Sequence, residues 1–117
     1  MGPSGANGGC VISEEQAEAA VEYLRSSAEK AAAARGNVAL LEGMLKVTKA
    51  KLKSKSTVKT DSGREDEALS SEEYIGILKG YQAAVEEDAL YRMKREAAIA
   101  RLDFYRTLQA NIRGMQR

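Results

Sequence analysis

Histidine and tryptophan are absent from the chain, and cysteine, proline and phenylalanine each occur once. Without histidine there is no imidazole for a Ser-His-Asp arrangement, for a histidine zinc site or for a Glu-x-x-His metal pair. The single Cys10 has no partner within the chain for a disulfide and no histidine to activate it, so it reads as an inert thiol. No stretch reaches the ~18 consecutive apolar residues that a membrane span requires. The opening MGPSGANGGC lacks the charged and apolar regions of a signal peptide, and Ala6 stands where a myristoylation motif needs Ser or Thr. These absences predict a protein of the cell interior, cytoplasmic, with no membrane partner, no metal and no cofactor. P-loop and dinucleotide fingerprints are missing as well, and no enzymatic activity is expected.

What is present is helical. The 117 residues suffice for one domain, and 18 Lys and Arg against 17 Asp and Glu leave a formal charge of +1, so bulk charge selects no polyanionic partner. Composition divides the chain into a Gly-rich leader over residues 1–11 and one helical domain over 12–117. Within that domain a helix is predicted over about 13–54, a loop over about 55–69 and a second helix over about 71–113. Ser13-Glu14-Glu15-Gln16 fits a capping box, with Ile12 and Ala17 placed as a hydrophobic staple. Ser70 to Glu73 fits a second box, with Leu69 and Tyr74 as its staple. The connector KSTVKTDSGREDEA has no hydrophobic period and reads as an exposed, disordered loop.

Heptad spacing appears in both long segments. Ala17, Val21, Leu24, Ala28 and Ala31 alternate steps of four and three, as do Val38, Leu41, Leu45, Thr48 and Leu52. The two runs differ by one residue in frame, a mismatch that resembles a stammer; an ordinary helix with a wider apolar face is the other reading. In the second segment Tyr74, Ile77, Tyr81, Ala84, Asp88, Tyr91, Arg95, Ala98, Leu102 and Tyr105 keep the rhythm. Ile75, Leu78, Val85, Ile99, Phe104 and Leu108 fall off that line, so this helix is apolar on more than one face. The expected architecture is all-α: an antiparallel, coiled-coil-like hairpin of two long amphipathic helices, each about 60 Å at 1.5 Å per residue. Such a hairpin hides little apolar area, which predicts assembly into a four-helix bundle or larger homo-oligomer. Leu41, Leu45, Leu52, Tyr81, Val85, Asp88, Leu102 and Tyr105 are the candidate oligomer seam. A buried Asp88 would need Arg95 or an arginine of a partner helix.

Charge is segregated. Glu14, Glu15, Glu18, Glu22 and Glu29 crowd the start of the first helix, and arginines from Arg92 onward crowd the end of the second, so antiparallel folding brings opposite signs together. Lys46, Lys49, Lys51, Lys53, Lys55 and Lys59 form a run with no acid between them. Together with Arg101, Arg106 and Arg113 they are the candidate nucleic-acid contacts, because clustered cations gain affinity by releasing counterions from a polyanion. The competing reading is a solvated helix end neutralised by Asp61, Glu65, Asp66, Glu67, Glu72 and Glu73. Gly36 with Gly43, and Gly76 with Gly80, lie on shared helix faces and suggest either close helix approach or a kink. Glu86, Glu87 and Asp88 diverge around the helix and do not converge on one ion.

The segment YQAAVEEDALYRMKREAAIARLDFYRTLQANIRGMQR, with Phe104-Tyr105-Arg106-Thr107 followed by Gln109-Ala110-Asn111, resembles a group of small phage and prophage proteins. The resemblance covers about residues 70–117, and the Gly-rich leader departs from it. It implies an accessory role near phage recombination or replication and brings no catalytic residues. The leading functional expectation is a non-enzymatic assembly or adaptor protein acting by self-association and binding of a protein partner. A nucleic-acid-binding accessory protein is the alternative.

Overall fold

A computed structural model of the chain describes residues 12–116; the leader and Cys10 lie outside the described residues. Among the described residues three helices follow in order, α1 over Glu14–Lys55, α2 over Asp61–Leu69 and α3 over Glu72–Met115. No strand occurs among the described residues. The two long helices, α1 and α3, pack against each other as a hairpin. The chain divides into two compact units, one of residues up to Glu29 with those from Tyr91 onward, the other Lys30–Leu90.

The start of α1 is fixed by its capping box. The amide of Gln16 donates to Ser13 Oγ at 3.1 Å, and the Ser13 amide donates to Gln16 Oε1 at 3.0 Å, which satisfies two donors at the helix end. The second expected box is displaced by one residue. Ser70 ends α2: its amide donates to Asp66 O and it adopts αR geometry, with φ −93° and ψ −1°, so it is not in the extended conformation of an N-cap. Ser71 caps α3 instead, accepting from the Tyr74 amide at 3.1 Å and donating to Ala68 O at 2.9 Å. The one-residue shift also removes the Leu69–Tyr74 staple, because those residues no longer hold the staple positions, and Leu69 is exposed.

The connector corrects the expectation of disorder. Its second half is α2, capped by Thr60 Oγ1, which accepts from the Gly63 amide at 3.1 Å. Arg64 Nε donates to Val58 O at 2.7 Å and the Val58 amide donates to Ser56 Oγ at 3.1 Å, so the irregular stretch before α2 is bonded locally. Ala68, 1% exposed, is the most buried of the core residues. Gly63 has a structural reason: a Cβ there would meet Val58 Cγ1 at 2.6 Å and Thr60 Oγ1 at 2.7 Å. A nine-residue helix with one buried alanine leaves no periodic apolar signal, which is why the segment reads as a loop.

In the first unit the inward stripe of α1 is Ala17, Ala20, Leu24 and Ser27, facing Tyr91, Arg95, Ala98, Leu102 and Tyr105 of α3. In the second, Ala31, Ala34, Val38, Leu41, Leu45, Thr48 and Leu52 of α1 face Tyr74, Ile77, Tyr81, Ala84 and Asp88. The step from Ser27 to Ala31 is four, so α1 keeps one heptad frame throughout and the stammer is not there. Val21, 51% exposed, and exposed Ala28 are off the stripe; small Ala20 and polar Ser27 take the inward places. Small residues on α1 admit the large Tyr, Arg and Leu side chains of α3, the alternation that close packing of two helices favours. The only buried residues among those described are Ala17, Ala20, Ala34, Ala68, Ala84, Ala98, Ser27 and Thr48, and no large side chain is fully enclosed.

Candidate functional site

In the second unit the lysine run is threaded with acids. Lys49 Nζ lies 3.0 Å from Glu65, Lys53 Nζ 3.0 Å from Asp61, and Lys51 Nζ 3.2 Å from Glu73. The first two pairs tie α2 to the end of α1 and the third ties α1 to α3. The Lys49 ammonium is held above its ordinary pKa, first by the hydrogen bond to Glu65 and then by the charge of that carboxylate. Lys46, Lys55 and Lys59 form no ion pair among the described residues. Half of the run is therefore spent on organising the connector, and the structure does not bring the six together as one free basic surface.

The basic end of α3 belongs to the first unit. Arg106 Nη1 lies 3.3 Å from Asp103 on its own helix, and Arg25 pairs with Glu22 on α1. The expected meeting of opposite signs is a juxtaposition: Glu14 and Glu18 share with Arg106 a cleft of about 370 Å3 that also takes in Ala17, Val21, Leu102 and Tyr105. Arg101 lies with Lys94 on a second cleft of about 290 Å3, floored by Ala19, Ala20, Ala97 and Ala98. Arg113 is exposed near the end of α3, far in sequence from either cleft. The Tyr23 side chain lines this second cleft, yet its hydroxyl is buried with no hydrogen-bond partner.

Arg95 makes the polar link across the first unit. Its Nη1 donates to Leu24 O and to Ser27 Oγ, both at 2.8 Å, and Ser27 is 5% exposed. A guanidinium placed over a small buried hydroxyl fixes the alignment of two alanine-rich faces that would otherwise slide. Sequence reasoning placed Arg95 on the seam but missed Ser27; the signal was a step of three from Leu24.

Of the candidate seam residues, Leu41, Leu45, Leu52, Tyr81, Asp88, Leu102 and Tyr105 are half-buried within the hairpin, and Val85 is exposed. The glycines do not bring α1 and α3 together: a Cβ at Gly36, Gly43, Gly76 or Gly80 would meet nothing within 4 Å. Glu86 and Glu87 are exposed and Asp88 half-buried, and the described residues contain no group of three or more His, Cys, Asp or Glu arranged to hold a metal. No helix of the described residues is long and apolar enough to cross a membrane.

Among the described residues thirteen large apolar side chains are exposed, including Leu40, Met44 and Val47 on α1 and Met93, Ile99, Phe104 and Ile112 on α3. These side chains are exposed rather than buried between α1 and α3. The fold thus defines an all-α helical hairpin with apolar side chains left outside its seam. No family model matches the chain, and neither a curated protein nor a solved structure matches it.

Proposed function

We propose that this chain is a non-enzymatic helical assembly or adaptor protein that acts through self-association, of the phage or prophage kind that its C-terminal half resembles. The observation that carries the reading is the contrast between an interior of alanines with one serine and one threonine and an exterior bearing Leu40, Met44, Val47, Met93 and Phe104. Apolar surface of this kind is worth about 25 cal/mol per Å2 when a partner removes it from water, and contiguous patches of it mark contact surfaces. The outer residues are distinct from the seam that α1 and α3 use for each other, so an assembly adds contacts without opening the hairpin.

The nucleic-acid reading is weakened by the pairing of Lys49, Lys51 and Lys53 with carboxylates, since a phosphate backbone would have to displace Glu65, Glu73 and Asp61. Light scattering of the full chain across a concentration series tests the proposal: a mass above that of one chain supports it. Titration with single- and double-stranded DNA at two salt concentrations tests the rival, for which affinity falling steeply with salt is the signature.

A further inference from the structure

From the second stripe of α3 we infer that a second copy of this chain docks along α3, parallel and in register about a two-fold axis. This deepens the self-association proposed above and rests on it. Met93, Ala97, Ala100, Phe104 and Thr107 follow steps of four, three, four and three, the repeat that closes a coiled-coil seam. All five are exposed, Met93 at 65% and Phe104 at 41%. At 100° per residue the stripe is centred about 170° around the helix from Arg95, Ala98 and Leu102; Ala97 borders the cleft shared with Ala19 and Ala20 of α1, and Met93, Ala100, Phe104 and Thr107 are turned away from α1, so a partner helix reaches them without displacing the hairpin. Both α3 helices then sit inside, with an α1 on each outer side.

Charge on the two edges chooses the occupant and its direction. One edge of the stripe carries the acids Glu96 and Asp103, the other the bases Lys94 and Arg101. In an antiparallel pair like edges meet, acid on acid and base on base. In a parallel pair each acidic edge meets the basic edge of its neighbour, and the five-residue offset of such pairs sets Glu96 of one copy against Arg101 of the other, twice by symmetry. Neither Glu96 nor Arg101 forms an ion pair among the described residues, so both remain available. The small Ala97 and Ala100 at the centre let the backbones approach, and Phe104 supplies the large apolar contact beyond them.

The test is disulfide trapping in the full chain carrying Cys10→Ser. In a parallel two-fold, equivalent residues of the stripe face each other, so Ala100→Cys is expected to oxidise to a covalent dimer, while Ala32→Cys on exposed α1 is not. Glu96→Arg is expected to weaken association about tenfold, and adding Arg101→Glu to restore it. Phe104→Glu is expected to give a monomer of unchanged helicity. A heterotypic disulfide between Met93→Cys and Phe104→Cys chains, with none at Ala100→Cys, would overturn the parallel orientation. An oligomer by mass that traps through neither would overturn this face while leaving self-association standing; a monomeric parent would overturn both.

Discussion

Replacing Arg95 with methionine removes the polar link of the first unit and keeps a flexible stem of similar reach. The guanidinium makes two 2.8 Å hydrogen bonds, to Leu24 O and Ser27 Oγ. A hydrogen bond to a charged group contributes about 1.5 to 3 kcal/mol. Leu24 O keeps its helical acceptor role toward Ala28, so its loss is the smaller one. Ser27, 5% exposed, is left with a buried hydroxyl that has lost this donor, a cost of about 1 to 3 kcal/mol. The half-buried position of Arg95 reduces both figures, and the expected loss is about 2 to 4 kcal/mol. For a domain of this size that lowers Tm by about 10 to 25 °C. Circular dichroism melts at one fixed protein concentration measure it, since association couples to stability. A double-mutant cycle with Ser27→Ala isolates the pair, with an expected coupling of about 1 to 2 kcal/mol. The double variant Ser27→Ala with Arg95→Leu is expected to recover most of the loss, because apolar replacement of both partners strands nothing. A loss under about 0.5 kcal/mol for Arg95→Met, or no coupling, would refute the reasoning.

Gly63→Ala is expected to destabilise the chain although alanine normally gains about 1 kcal/mol over glycine within a helix, because its Cβ would meet Val58 Cγ1 at 2.6 Å and the Thr60 cap at 2.7 Å. Gly36→Ala and Gly43→Ala, open on all sides, should each raise stability by about 0.5 to 1 kcal/mol; urea melts of the three separate the cases. Tyr23→Phe deletes a buried hydroxyl without a partner and should raise Tm, whereas a drop would reveal a bond to that oxygen. For Lys49 the folded pKa is raised, so its contribution is complete below its unfolded pKa of about 10.4 and is lost as pH climbs through the higher folded value. Alkaline melts should therefore fall more steeply for the parent than for Lys49→Met; parallel curves would contradict the Lys49–Glu65 contact.

The two long helices were legible because their signals are local and repeated. Ser13 and Gln16 announce a start, and the stripe Tyr74 to Tyr105 holds its frame for 32 residues. The seam of α1 was harder, since periodicity was sought in the larger apolar side chains. Val21 is larger than Ala20 and Ala28 more apolar than Ser27, yet the inward places need small residues to receive Tyr, Arg and Leu from α3. Helix α2 was hidden for another reason: its order comes from a cap, a glycine in a tight place and two cross-segment ion pairs, Lys49–Glu65 and Lys53–Asp61, which no window of sequence displays; Lys51 pairs with Glu73 of α3. The same pairs explain why a run of six lysines does not make one open basic patch. Of the outer stripe beginning at Met93 only Phe104 stood out in the sequence, as an apolar residue off the line, and the regular spacing of the five becomes meaningful once the inward face of α3 is fixed.

Sedimentation equilibrium of the full chain over a wide range of concentration tests the central claim most directly. The account predicts a mass that rises with concentration toward a dimer or higher species and falls back to one chain in Phe104→Glu. A single-chain mass at high micromolar concentration, with a cooperative thermal transition, would contradict it.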